Sequence, residues 1–226
     1  SFTIAGTIGA GGQTVSLRTV DSSSFVTQTS TNSLLTVGTL NLSGGQGYSL
    51  TGNGATWNYI TALGNIDTAV AIYTDSNVDL TGTIAARYFE LWARGNVSQS
   101  GGRIDRALND DVFEIRADRI ALTSATNRLG KVDALLTWGN VPGTITVAST
   151  GDTKFGEVVA RDASLTVTGG SILAYGSDGL DVDTLAVSSA GTISLGGRIG
   201  ALGTVLANGD AAFRSSSDLA FTDTVN

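Results

Sequence analysis

The 226-residue chain contains no cysteine, no methionine, no histidine and a single proline. Each absence removes a class of chemistry. Without cysteine there is no disulfide framework and no thiolate metal site. Without histidine there is no Ser-His-Asp triad, no imidazole ligand and no side chain whose ordinary titration falls near neutrality. Positive charge is also scarce: 13 Lys and Arg against 20 Asp and Glu give a formal net charge of −7. The basic footprint of a nucleic-acid binder is missing, and an anionic membrane surface would repel the chain. No apolar run approaches the ~20 residues of a membrane-spanning helix, so neither nucleic acid nor membrane insertion is expected. The Gly-Gly pairs at 101–102 and 196–197 lie in no phosphate-loop motif. The chain opens at Ser1 with no initiator Met and no leader-like stretch, and it reads as a mature protein or a piece of a longer one.

What the chain does have is 30 glycines, with Thr, Val, Ile and Leu spread along its whole length. Abundant glycine beside β-branched residues suits short strands and tight turns; a disordered linker would be poor in such residues. Internal repetition is visible. Leu165-Thr166-Val167, Leu185-Ala186-Val187 and Val205-Leu206-Ala207 recur at a spacing of 20, each followed by a small-residue turn and a second apolar stretch. Upstream, Phe89-Glu90-Leu91-Trp92-Ala93 is echoed at an offset of 24 by Phe113-Glu114-Ile115-Arg116-Ala117, and again near Leu136-Thr137-Trp138. A further signature, apolar-Gly-x-aliphatic, appears at Val37-Gly38-Thr39-Leu40, Leu63-Gly64-Asn65-Ile66, Leu129-Gly130-Lys131-Val132, Phe155-Gly156-Glu157-Val158 and Leu202-Gly203-Thr204-Val205. No segment holds a helical period over ten or more residues.

A short strand cannot bury its apolar face alone. If the chain coils at a near-constant length, each strand lands about 4.8 Å from its copy in the previous turn, ladder hydrogen bonds form between turns, and like side chains stack inside. Proline is nearly excluded because it cannot donate to a ladder, and Pro142 falls at an expected corner. The expected fold is therefore all-β, a right-handed parallel β-helix of nine or ten coils of roughly 20–26 residues, about 45 Å long. One solenoid domain is expected over residues 1–226, with 1–36 less regular and 37–226 carrying the repeats. An antiparallel sandwich is the competing architecture, but it would call for more two-residue hairpin signals than Asn208-Gly209 and Asp178-Gly179.

The Leu-x-Val, small-Gly-x-Ile and Leu-Gly-x-Val units, such as Leu185-Ala186-Val187 with Ala190-Gly191-Thr192-Ile193, resemble the filamentous-haemagglutinin type of two-partner-secretion exoproteins. More loosely they resemble autotransporter passenger domains. The resemblance covers most of residues 37–226 and implies an exported right-handed β-helix that stands out from a bacterial cell as a stalk or fibre. The Asn-Pro-Asn motifs of that family's secretion domain do not occur here, so the resemblance is to the shaft.

Two constellations are candidate sites. On the strand that begins at Phe89, inward positions fall to Phe89, Leu91 and Ala93, so Trp92 faces outward. One coil on, the same position is Arg116, and one further it falls near Trp138, with a Glu90–Glu114 column alongside. Such a Trp-Arg-Trp column would bind sugar rings by stacking or seal the face as a cation–π ladder. The second constellation is acidic. Asp181 and Asp183 alternate with Leu180 and Val182 and so share an outward face beside Asp178, an arrangement able to offer oxygen ligands to Ca²⁺. Its bland alternative is a solvated corner that discourages lateral aggregation, and the same holds for Asp105, Asp110 and Asp111. No catalytic residue is expected. The expected role is a structural and adhesive segment, secreted or on the bacterial surface, that contacts a glycan or protein of a host or neighbouring cell or associates with itself. The alternatives are a glycan-binding module, or a carbohydrate-active enzyme that uses a carboxylate pair.

Overall fold

The computed structural model describes residues 1–28, 32–106, 112–138, 143–175 and 179–223. The corner expected at Pro142 lies outside the described residues. Among the described residues there is no helix, and 22 strands join through parallel pairings into a β-solenoid of about nine turns. Each strand pairs with its counterpart one coil away. Phe2–Ile4 lies beside Phe25–Gln28, then Gly47–Leu50, Val70–Thr74, Phe89–Ala93 and Phe113–Ala117 in succession. The stack continues through Lys131–Thr137, Thr153–Thr168, Leu180–Ser189 and Ile193–Ala207. Strands of three to five residues are stable here because every ladder has a neighbour to extend and an apolar column to join. Among the described residues, the strand Ile8–Arg18 near one end and Ala211–Ser215 near the other pair on one side only, and Phe2 and Phe221 are exposed there.

Coil length varies more than the repeats imply. Phe2 pairs with Val26, an offset of 24, whereas Leu185 pairs with Leu202, an offset of only 17. The paired strands themselves run from two residues, Thr83–Ile84, to sixteen, Thr153–Thr168, and the corners absorb or shed residues between coils. Register differs too. Leu165 pairs with Val187, and Val187 pairs with Val205 across a bulge, in place of the Leu165–Leu185–Val205 spacing of 20. The two alignments differ by a two-residue slip. Because side chains alternate with period two, such a slip leaves the same residues facing inward.

The inward face is as expected: Phe89, Leu91, Ala93, Phe113, Ile115 and Ala117 are fully buried, and the Phe89 and Phe113 rings stack at 5.4 Å. Burial of each large side chain contributes about 1.5–3 kcal/mol. The core also holds polar corner clamps. Asn58 and Gln28 exchange amide hydrogen bonds of 2.9 and 3.0 Å, while the Asn58 carboxamide also takes up the Leu35 N–H and donates to the Leu50 carbonyl. Asn127 and Gln99 repeat the device at 2.9 Å in both directions, reaching the Ile104 N–H and the Ala148 carbonyl. At such corners the backbone leaves the ladder, and a buried amide satisfies the N–H and C=O groups that strand pairing cannot reach.

One glycine column needs its residue type. A Cβ at Gly82 would run into the backbone of Gly64 one coil away, and a Cβ at Gly102, where φ is 60°, would run into Gly82. Two glycines of the apolar-Gly-x-aliphatic signature are held by the same constraint: a Cβ at Gly38 would run into the Gly12 backbone and one at Gly156 into the Asp133 carbonyl.

Candidate functional site, a lateral aromatic hollow

Successive coils stack residue over residue, so outward side chains form columns. One column runs Tyr73, Trp92, Arg116, Leu136. Just past the strand ends the backbone sets Arg94 beside Asp75, with the Arg94 N–H donating to the Thr74 carbonyl, and Trp138 beside Asp118, with the Trp138 N–H donating to the Ala117 carbonyl, and these four residues make up a second outward group. Trp92 over Arg116 and Glu90 over Glu114 fall as the repeat spacing placed them. Trp138 does not. The residue level with Arg116 is Leu136, so Trp138 stands beside Asp118. Ile115 pairs with Leu135, an offset of 20, where an offset of 22 would have set Trp138 level with Arg116, and this moves the third strand by two positions.

The columns nevertheless bring the three expected residues together. Trp92 is sandwiched along the stacking direction. Tyr73 lies parallel to it at 4.4 Å, and the Arg116 guanidinium lies 4.7 Å from its centroid. These distances match the spacing of the coils, so each side chain rests on the residue paired with its own. Arg116 also lies 5.3 Å from the Trp138 ring, and the Trp138 and Trp92 rings meet edge to face at 6.4 Å. Trp138 reaches back two coils, where its indole N–H donates to the Ala93 carbonyl at 2.7 Å.

Trp57 is the member that spacing did not place. It sits in the turn after the strand Gly47–Leu50, immediately before Asn58, whose backbone bridges to Thr74. That bridge delivers the Trp57 ring to within 5.4 Å of Tyr73, 6.4 Å of Trp92 and 6.1 Å of Trp138, with the Arg94 guanidinium 4.2 Å from its centroid. Arg94 is in turn paired with Asp75 at 3.0 Å. The signal in the sequence was the richness of this half in aromatics. No repeat aligned Trp57 with Trp92, because the turn that carries it is an insertion into the coil.

Two carboxylates flank the rings. Glu90 accepts from the Tyr73 hydroxyl at 2.7 Å and the Tyr88 hydroxyl at 2.5 Å. Burial, followed by this bond, raises the Tyr73 phenol far above its ordinary range, and the bond to Glu90 pushes Tyr88 up to about 12. Glu114 accepts from the Trp92 indole N–H at 3.0 Å. Burial raises the Glu114 carboxyl; the Trp92 bond opposes that rise and the charge of Glu90 adds to it. Both carboxylates are thus committed to ring donors that fix the aromatic side chains.

Trp57, Trp92, Trp138, Arg94 and Asp118 enclose a solvent-open hollow of about 440 Å³. Most polar groups around it are already in use. Among those still without a hydrogen-bond partner in the described residues are the Asp118 carboxylate, the Trp57 indole N–H and, beside the hollow, the buried Arg116 Nε.

The acidic constellation is arranged differently. Asp181 and Asp183 are exposed between buried Leu180 and Val182, as the alternation required. Arg198, on the next coil, pairs with both: its Nε with Asp181 and its Nη1 with Asp183 at 3.1 Å. A divalent cation on this pair would have to displace that guanidinium. Asp178, Asp110 and Asp111 lie outside the described residues, and Asp105 pairs with Arg103 at 3.0 Å.

The fold and its columns define the chain as a parallel β-solenoid with a lateral aromatic hollow. Searches of protein-family models, curated proteins and solved structures find no match to it.

Proposed function

We propose that this chain is a structural and adhesive segment of a secreted or surface-exposed bacterial protein, a stiff shaft whose flank makes the contact. The observation that carries the reading is the pairing of a continuous coil-on-coil ladder, which builds length, with an aromatic hollow on the side of the shaft between its two ends. A solenoid adds reach and surface with every coil because each repeat leans only on its neighbours. A half-buried aromatic cluster open to solvent on such a surface is the kind of feature that marks a contact site. The partner on this reading is a glycan or protein of a host or neighbouring cell; association of shafts with one another is the other contact the reading allows.

Adhesion is tested with beads coated with the purified chain, offered to mammalian cells, to bacterial cells and to one another. Retention on at least one surface above albumin-coated beads is expected, together with reduced retention for Trp57→Phe beads. Beads that bind nothing at matched coating density would overturn the adhesive reading.

A further inference from the structure

The ligand class follows from what the hollow leaves free, given that the flank is the contact surface. We propose that the hollow between Trp57, Trp92 and Trp138 binds a neutral pyranose unit of a glycan, hydrogen-bonded by Asp118 and by the Trp57 indole N–H. Three features select this ligand.

The first is shape. Indole rings on several sides of a hollow of about 440 Å³ give it an apolar lining of the size of one or two sugar rings, toward the small end of the ~300–1,000 Å³ usual for ligand pockets; Trp92, sandwiched between Tyr73 and Arg116, has its faces covered, so stacking falls to Trp57 and Trp138. The C–H face of a pyranose is itself flat and apolar. A folded peptide helix, about 10–12 Å across with its side chains, is wider than an opening whose framing indole rings stand 6.1 to 6.4 Å apart.

The second is charge. Arg94 stands over Trp57 and Arg116 over both Trp92 and Trp138, so the ring faces that would attract a quaternary ammonium already have cations. An anionic sugar is not favoured either: Arg94 is paired with Asp75, Arg116 stands 3.9 Å from Glu114, and Asp118 adds a further negative charge.

The third is the pair of unmet groups. The indole N–H groups of Trp92 and Trp138 are engaged by Glu114 and the Ala93 carbonyl, so the hollow offers one free indole donor, on Trp57, and one free acceptor, on Asp118, among the described residues, beside the guanidinium donors that Arg94 does not direct at Asp75. A sugar hydroxyl both donates and accepts, and two neighbouring hydroxyls on one ring satisfy both groups at once.

The test is intrinsic tryptophan fluorescence of the whole chain, titrated with cellotriose, chitotriose and mannotriose. Trigalacturonate serves as the acidic probe and choline as the cationic one. At least one neutral trisaccharide is expected to give a saturable change with a Kd of about 1 mM, the range for one bound sugar ring. Asp118→Asn and Trp57→Phe, which keep shape and fold as judged by circular dichroism, should each weaken it at least fivefold. Asp181→Asn, on the remote acidic strand, should not. Tighter binding of trigalacturonate or choline would overturn the charge argument. Neutral binding unaffected by both variants would overturn the site. No saturable response to any neutral probe, with bead adhesion intact, would overturn the glycan class and leave the adhesive reading standing. Oligosaccharide binding without adhesion would do the reverse. Release of reducing ends from the neutral probes would mark the hollow as part of an enzyme and overturn the assignment to binding alone.

Discussion

Replacing Asn127 with alanine should be among the most damaging single polar changes in the molecule, although no hydrophobic contact is lost. The Asn127 carboxamide is fully buried and makes four hydrogen bonds. Its Oδ1 accepts from Gln99 Nε2 and from the Ile104 backbone N–H; its Nδ2 donates to Gln99 Oε1 and to the Ala148 carbonyl. After truncation Gln99 Oε1 still accepts the Ser124 N–H at 3.2 Å. The Ile104 N–H and Gln99 Nε2 keep no such alternative. Each buried group left unsatisfied costs about 1–3 kcal/mol, so two of them place the loss near 4 kcal/mol. The assay is urea unfolding followed by circular dichroism, with native-state hydrogen exchange at the Ile104 amide. Exchange is needed because a solenoid opens locally, coil by coil, and a single midpoint can hide the site of damage. Asn127→Ala should lower stability by about 4 kcal/mol and expose the Ile104 amide ahead of the strand Phe113–Ala117. Asn96→Ala, at an exposed side chain, should change stability by under about 0.5 kcal/mol. A loss below about 1 kcal/mol with unchanged Ile104 protection would refute the reasoning that buried amides hold the corners.

Gly82→Ala should cost more than about 2 kcal/mol, because its methyl group meets the Gly64 backbone, which cannot move without breaking its own ladder; the same urea experiment reads it. Glu114 gives a pH signature. Its folded carboxyl titrates above the unfolded value, so the folded state holds the proton longer, and stability falls as pH rises from the ordinary carboxylate range through the raised value. Glu114→Gln keeps an acceptor for Trp92 and should remove this fall, gaining on the parent at neutral pH relative to mildly acidic pH; an equal difference at both would count against it. Lys131 is buried and paired with Asp133 at 2.7 Å, a bond that raises its ammonium above the ordinary range. Asp133→Asn, which strands that charge, should cost about 3 kcal/mol, and Lys131→Met should cost less; the reverse order of urea midpoints would contradict the burial argument.

The fold class was readable because its cause is local and periodic. Alternation put Phe89, Leu91 and Ala93 inside and Trp92 outside, and the echo at Phe113 put Arg116 next to Trp92, as the coils have it. The exclusion of disulfides and of histidine chemistry likewise follows from composition alone. Register past the first echo was not readable. A slip of two residues keeps every side chain on its face, so periodicity could not tell whether Leu136 or Trp138 lay level with Arg116, or whether Leu165 met Leu185 or Val187. Only the corners decide this, since their length fixes where each coil begins. They are built from buried amides and close glycine passages that link residues a coil or more apart in the chain. The hollow is a consequence of those corners. Trp57 and Trp138, far apart in the chain, lie 6.1 Å from one another because one turn returns to Thr74 and one coil is shorter than its neighbours. The sequence by itself determined that the chain coils and which face is apolar, because both depend on residues one or two positions apart. Tertiary structure decided which outward side chains meet, because that depends on the summed length of every turn between them.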